Sequence, residues 1–179
     1  MTCIVGIEAE DKVYLGGDFM GSDGYSKGLV TQSKVFHLTQ NIIFGYTTSF
    51  RFGQIIEHFV IPPERREEET VYRYLCRRLI PEIKSQLELH GYQDGCGQAL
   101  VGIDNELWEL QSDYSVIRST KGYNSVGCGD TYAKGYLSQS KKKNPEKSIK
   151  KAIKAASMFS TGVSEECIVI SNGDLDEQT

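Results

Sequence analysis

The sequence predicts an α+β fold, a four-layer αββα sandwich in which two stacked antiparallel sheets are flanked by helix pairs. Three observations predict it. Short β-branched and apolar runs come in adjacent pairs with polar connections, as antiparallel hairpins do. Stretches with apolar residues at three-and-four spacing fall in two blocks, one mid-chain and one late. The resulting order is paired strands, two helices, more antiparallel strands, two helices and a final strand. Two sheets stacked between helix pairs would bury all of these stripes.

The first hairpin joins residues 2–7, Thr-Cys-Ile-Val-Gly-Ile, to residues 13–18, Val-Tyr-Leu-Gly-Gly-Asp. With a turn centred near Glu10, antiparallel pairing sets Thr2 opposite Asp18. Residues 19–33 are rich in glycine and polar side chains and read as a loop or irregular extended segment beside that end. A second hairpin, 34–38 with 41–46, closes around Thr39-Gln40 and sets Lys34 opposite Gly45. His37 alternates into this hairpin as a sheet residue. From Ser49 the period changes, and Phe52, Ile55, Ile56, Phe59 and Val60 mark an amphipathic helix that ends before Pro62-Pro63. A second helix carries Val71, Leu75, Leu79, Ile83 and Leu87 along one stripe, with Pro81 placed to kink or split it.

Strands resume at 98–103 and 106–111 around the two-residue connection Asp104-Asn105. Shorter strands are expected at 114–117 and 123–127. Gly127-Cys128-Gly129 then leads into a helix containing Tyr132, Ala133, Tyr136 and Leu137. Asn144-Pro145 reads as a cap with proline at the first helical position. The helix behind it buries Ile149, Ala152, Ile153, Ala156 and Phe159 and turns the lysines of 141–154 to solvent. Residues 167–170, Cys-Ile-Val-Ile, suit a central strand, and 172–179 form a polar tail. No repeat or linker divides the chain, so one domain, 1–179, is expected.

Composition narrows the class of function. A chain of 179 residues with 39 % hydrophobic and 25 % charged residues has material for a core and is neither fibrous nor disordered. Its net charge of -4 argues against nucleic acid as the main partner. The longest apolar run falls short of the ~18 residues that a membrane helix needs. Five cysteines at scattered spacings, with no Cys-x-x-Cys, suit a reduced, cytoplasmic setting. No pair of histidines or cysteines stands at metal-ligand spacing, so no metal or cofactor is expected. The Gly127-Cys128-Gly129 turn lacks the endings of a nucleotide-binding loop.

The chemistry concentrates at one end of the two hairpins. Removal of Met1 would give Thr2 a free α-amine beside its hydroxyl, a nucleophile and a base on one residue. An α-amine titrates near 8 in the absence of perturbation, and a neighbouring cation lowers that value. Lys34 is the candidate cation and Asp18 its anchor. The Gly45 N–H is a candidate oxyanion donor, a role worth roughly 3–4 kcal/mol elsewhere. Each residue alone has a plainer reading: Asp18 as a turn former, Lys34 as a solvated strand-end charge, Gly45 as a bulge glycine. Their joint placement around Thr2 favours the chemical one.

These residues resemble the proteasome β-type and HslV-type threonine peptidases of the N-terminal-nucleophile hydrolases. The resemblance rests on Thr2 behind Met1, Gly16-Gly17-Asp18, Lys34-Val35, Phe44-Gly45 and Gly127-Cys128-Gly129. It implies the sandwich fold and Thr2 as nucleophile, with Asp18 and Lys34 tuning it and Gly45 at the oxyanion. Cys128 falls where the family has a serine near the threonine amine. Ser22 and Thr47 match positions whose backbone pairs with an extended substrate, and Ile43 the position that shapes the specificity pocket. The family further implies an endopeptidase acting on peptides or unfolded proteins inside a homo-oligomeric ring, served by a separate unfolding ATPase. Two departures leave alternatives open. Cys128 is a weaker hydrogen-bond donor than serine, and Ser157 and Met158 stand where a late carboxylate is expected, with Ser160-Thr161-Gly162 able to supply the hydroxyl. The alternatives are an amidase acting on a small molecule and a catalytically silent ring subunit.

Overall fold

The structure is a computed structural model that describes residues 2–9, 11–22, 25–93, 95–140 and 144–173. Met1, the expected turn centre Glu10, the start of the basic run at 141–143 and the tail from 174 onward lie outside the described residues. Two sheets stack face to face. The first, in the order β10-β1-β2-β11, contains β1 (Cys3–Ala9), β2 (Lys12–Asp18), β10 (Tyr123–Gly127) and β11 (Cys167–Ser171). The second, in the order β5-β6-β7-β8-β9, contains β5 (Val35–Thr39), β6 (Ile42–Tyr46), β7 (Ala99–Ile103), β8 (Glu106–Leu110) and β9 (Val116–Arg118). All pairings are antiparallel.

Strand β1 shows why its sequence is apolar throughout. Cys3, Val5 and Ile7 face α4 (Asp130–Gln139) and α5 (Pro145–Ser157), where they meet Ala133, Leu137, Ile149 and Ile153. Ile4 points the other way, into the seam between the sheets with Leu15, Val35, Ile43, Leu100 and Val126. A strand covered on both faces has no polar face to show. The second sheet's outer face packs under α1 (Phe50–Phe59), α2 (Val71–Tyr74) and α3 (Ile80–Leu89). The expected αββα sandwich is therefore observed.

Between α2 and α3 lies a π-helical turn, Leu75–Leu79. Val71, Leu75, Leu79, Ile83 and Leu87 recur every fourth residue, and all five are buried. In a pure α-helix such a stripe drifts by about 40° per step; the wider π turn takes up part of the drift. It also precedes Pro81, which cannot donate to the carbonyl four residues back. The stripe and the proline act in the same place.

Several expectations need correction. The segment 19–33 contains its own small hairpin, β3 (Met20–Ser22) with β4 (Lys27–Leu29). Strand β11 is an edge strand beside β2. Phe159 is exposed, because α5 ends at Ser157 and its stripe ends with it. Asn172 is no tail residue: it is buried, accepting from Val13 N at 2.7 Å and donating to Asp104 O. No described helix is long and apolar enough to cross a membrane.

Candidate active site

The first hairpin pairs Ile4 with Gly17. That register brings Cys3, and not Thr2, level with Asp18, and the Cys3 N–H donates to Asp18 Oδ1 at 2.9 Å. Thr2 sits one step beyond, at the head of β1, and is 4 % exposed. On its other side Cys3 pairs with Gly127. Gly127 has φ +98, and a Cβ there would lie 2.2 Å from the Thr2 carbonyl oxygen, so only glycine lets β10 pass so close.

Asp18 and Lys34 form the charged centre. Asp18 is fully buried, and Lys34 is 2 % exposed. Lys34 Nζ donates to Asp18 Oδ1 at 3.2 Å and to the Met20 carbonyl at 2.6 Å. Asp18 Oδ2 accepts from Met20 N at 2.9 Å and Ser164 N at 3.3 Å. Four donors thus converge on one carboxylate, and the ion pair bridges the two sheets at their shared end. Burial pulls the Lys34 pKa below its ordinary 10.5, while Asp18 opposes that pull. The solvated strand-end reading of Lys34 does not hold. Gly17 keeps the seam beside it tight, since a Cβ there would stand 3.1 Å from Ile4 Cδ1 and 3.2 Å from Val35 Cγ1.

Thr2 and Lys34 line one cleft of about 60 Å³ with Ser22, Tyr46, Thr47, Thr48, Ser49 and Phe50. Gly45 is absent from its walls, and a register shift explains why. The tight turn lies at Gln40-Asn41, not Thr39-Gln40, and with a bulge between His37 and Thr39 it pairs Val35 with Gly45. Tyr46 N then donates to Lys34 O at 3.0 Å, and Thr47 N to Gln98 O at 2.9 Å. N–H groups alternate in direction along a strand. The Gly45 N–H therefore faces β7, where Leu100 is its partner, and is spent in the sheet. Its missing Cβ serves packing instead, since one would meet Ile4 Cγ2 at 2.7 Å. The Gly45 assignment is corrected on this ground.

Two further assignments change with it. Ile43 is fully buried in the seam between the sheets and cannot shape a substrate pocket. Thr47 does line the cleft, but its N–H and Oγ1 both go to Gln98 O, the latter at 3.1 Å, so its N–H is not open to a substrate. The next N–H on the Lys34 side of β6 belongs to Thr48. Its φ is +80, and Ser49 N donates to Thr47 O across it at 3.0 Å, a tight turn that β-branched residues rarely enter. Among the described residues the Thr48 N–H has no backbone acceptor. Ser22 stays on the cleft wall, as expected.

Cys128 is exposed, and its Sγ lies 3.5 Å from the Thr2 carbonyl oxygen while accepting from Ser160 Oγ at 3.3 Å. Of Ser160-Thr161-Gly162, it is the Ser160 hydroxyl that reaches Cys128. Cys3, by contrast, is buried, and that burial pushes its thiol up to about 12, leaving it protonated and inert. Sequence reasoning missed Ser164, Thr48 and the Met20 carbonyl. Ser164 carried no readable signal, because its backbone N–H does the work.

Searches of the sequence against family models and against curated proteins find no match. The fold does match solved structures. Thiobacillus denitrificans BPH superimposes with a TM-score of 0.79 at 15 % identity, covering 97 % of this chain and 100 % of that one. The fold is HslV-like, of the proteasome β type. The same BPH in complex with epoxomicin gives 0.79 at 14 % identity, over 94 % of this chain and 97 % of that one. Eukaryotic HslV from Trypanosoma brucei gives 0.70 at 19 % identity, over 94 % of this chain and 98 % of that one. Both neighbours share the HslV-like sandwich over nearly their whole length.

Proposed function

We propose that the chain is a threonine-type endopeptidase whose nucleophile is Thr2, unmasked by removal of Met1. The observation that carries this reading is the buried Lys34 ammonium, held by Asp18 and the Met20 carbonyl, on the wall of the cleft that also holds Thr2. Thr2 and Lys34 line the same cleft, which supports a role for the ammonium in tuning an α-amine at Thr2. Its charge disfavours the protonated amine and keeps it a base near neutral pH.

Thr2 Oγ attacks the peptide carbonyl carbon as its proton passes to the Thr2 amine, directly or through a water. The tetrahedral oxyanion accepts from the Thr48 N–H, which takes the part first given to Gly45. The intermediate collapses to an ester on Thr2, and the departing amine takes the proton back. Water then cleaves the ester and restores the hydroxyl. The Ser160–Cys128 pair orients the Thr2 backbone, and Ser22 pairs with extended substrate. Peptides or unfolded proteins are the substrate class, enclosed by a ring of identical chains with a separate unfolding ATPase as partner.

A fluorogenic-peptide assay on the processed chain tests the reading. Thr2→Ala and Lys34→Ala are expected to lower turnover at least a hundredfold, and Thr2→Ser to retain part of it. Full turnover in Thr2→Ala removes the proposal. The cleft's small size, about 60 Å³, favours a second reading, an amidase for a small substrate. Thr2-dependent hydrolysis of a single-residue amide, with peptides untouched, would select it.

A further inference from the structure

Four of the chain's seven arginines line one cleft. Arg66, Arg73, Arg77 and Arg78 surround it with Glu68 and Glu69, and its volume is about 490 Å³ against about 60 Å³ at Thr2. In a chain of net charge -4 this is a local excess of two positive charges. The charges are not matched evenly. Arg78 Nε lies 3.0 Å from Glu69 Oε2, so that guanidinium is paired by distance, although its N–H does not aim along the line and the oxygen has no aligned donor. Arg66, Arg73 and Arg77 have no carboxylate within ion-pair distance among the described residues.

The fold brings these groups together at a cost. Glu69 N donates to Arg66 O at 3.0 Å, a turn that returns Arg66 to the rim beside Glu69. Arg73 and Arg77 stand four residues apart along the helix, where like charges destabilise each other. The π turn Leu75–Leu79 carries Arg77 and Arg78, and turns of this kind recur at functional sites. Arg66, Arg73 and Arg77 are exposed and Arg78 half-buried, and none belongs to the apolar core.

We propose that this cleft binds a small anion carrying two or more phosphoryl groups. Guanidinium forks pair bidentately with phosphate oxygens, and three unmatched forks suit a compact charge better than one spread along a chain. An acidic peptide would have to run past Glu68 and Glu69. The volume falls within the ~300–1,000 Å³ of small-molecule sites and exceeds what orthophosphate would fill. The site shares no residue with the Thr2 cleft and does not depend on the peptidase reading.

Calorimetric titration of the full chain with inorganic tripolyphosphate, at fixed ionic strength, tests it. One saturable site per chain is expected, weakened tenfold or more in Arg73→Gln and in Arg77→Gln. Both side chains are exposed and glutamine is a good helix former, so the fold is kept. Lys84→Gln, further along on α3, is expected to leave binding unchanged. Absence of saturable binding, undiminished binding in Arg77→Gln, equal weakening by Lys84→Gln, or tighter binding of a hexaglutamate peptide than of tripolyphosphate would each overturn the proposal.

Discussion

At Asp18, two carboxylate oxygens meet four donors, three from backbone and one from Lys34. Replacing it by asparagine keeps the shape and removes the charge, which leaves a buried ammonium unmatched. We expect Asp18→Asn to lower stability by about 3–5 kcal/mol, read from the urea midpoint. Lys34 also sets a pH signature. Its pKa is lowered on folding, so between that lowered value and 10.5 the unfolded chain holds a proton that the folded one has released. Stability therefore rises with pH in this window. Cys3 and Cys96 act the other way: burial raises each from 9.0 to about 12, so their contribution falls as pH climbs through that range. The Lys34 effect is isolated by subtraction, and the wild-type chain should gain stability relative to Lys34→Met as pH rises toward 10.5. A difference that shrinks or stays flat would place the ammonium in a different environment. At Thr48, replacing the 47–48 amide by an ester through an α-hydroxy acid removes the N–H and weakens the Thr47 carbonyl that accepts from Ser49 N. A drop in turnover of about a hundredfold is expected there, as for other oxyanion donors; unchanged turnover would move the oxyanion elsewhere.

The elements explain which of these residues could be read in advance. The gathering of Thr2, Asp18 and Lys34 was legible because each stands at the same end of one of two paired hairpins. The Gly45 expectation failed because the tight turn falls at Gln40-Asn41 and a bulge follows between His37 and Thr39, which together set Gly45 opposite Val35 instead of Lys34, whereas Ile43 and Thr47 rested on the family resemblance alone. Nothing in the local sequence marks that bulge. The paired glycines before Asp18 were legible as a motif but not as packing. A Cβ at Gly16 would stand 2.2 Å from Ile149 Cγ2, so the glycine lets α5 lie close on β2. Two glycines, one at the turn from β10 into α4 and one within α4, separate steric need from mere presence. Gly127→Ala should abolish turnover and lower Tm, because its Cβ meets the Thr2 carbonyl at 2.2 Å and its φ is +98. Gly135 lies inside α4 with open space around it, so Gly135→Ala should gain about 0.5–1 kcal/mol. A loss at Gly135, or tolerance at Gly127, would contradict the backbone path through this turn.

Across the whole molecule, three apolar layers hold the sandwich: helices α4 and α5 on the first sheet, the seam between sheets, and α1 to α3 on the second. This architecture was legible in the paired apolar runs and the two blocks of helical stripes, which stacked layers bury together. The functional end was legible in outline, since the two hairpins had to bring their charged ends together, but its donors were not, because backbone groups leave no side-chain signature. The proposed ring belongs to this scale. Sedimentation at micromolar concentration should give one species several times the 20.0 kDa of a single chain; a monomer would leave the cleft open to solvent and favour the amidase reading. The central claim is that Thr2 becomes an amino-alcohol with both groups able to react. Epoxomicin needs both on one residue, so intact-mass measurement after its addition tests the claim most directly. The account predicts a chain lacking Met1 that gains one inhibitor mass on Thr2, with no gain in Thr2→Ala or Lys34→Ala. A chain that keeps Met1 and gains nothing, or a label retained in Thr2→Ala, would contradict it.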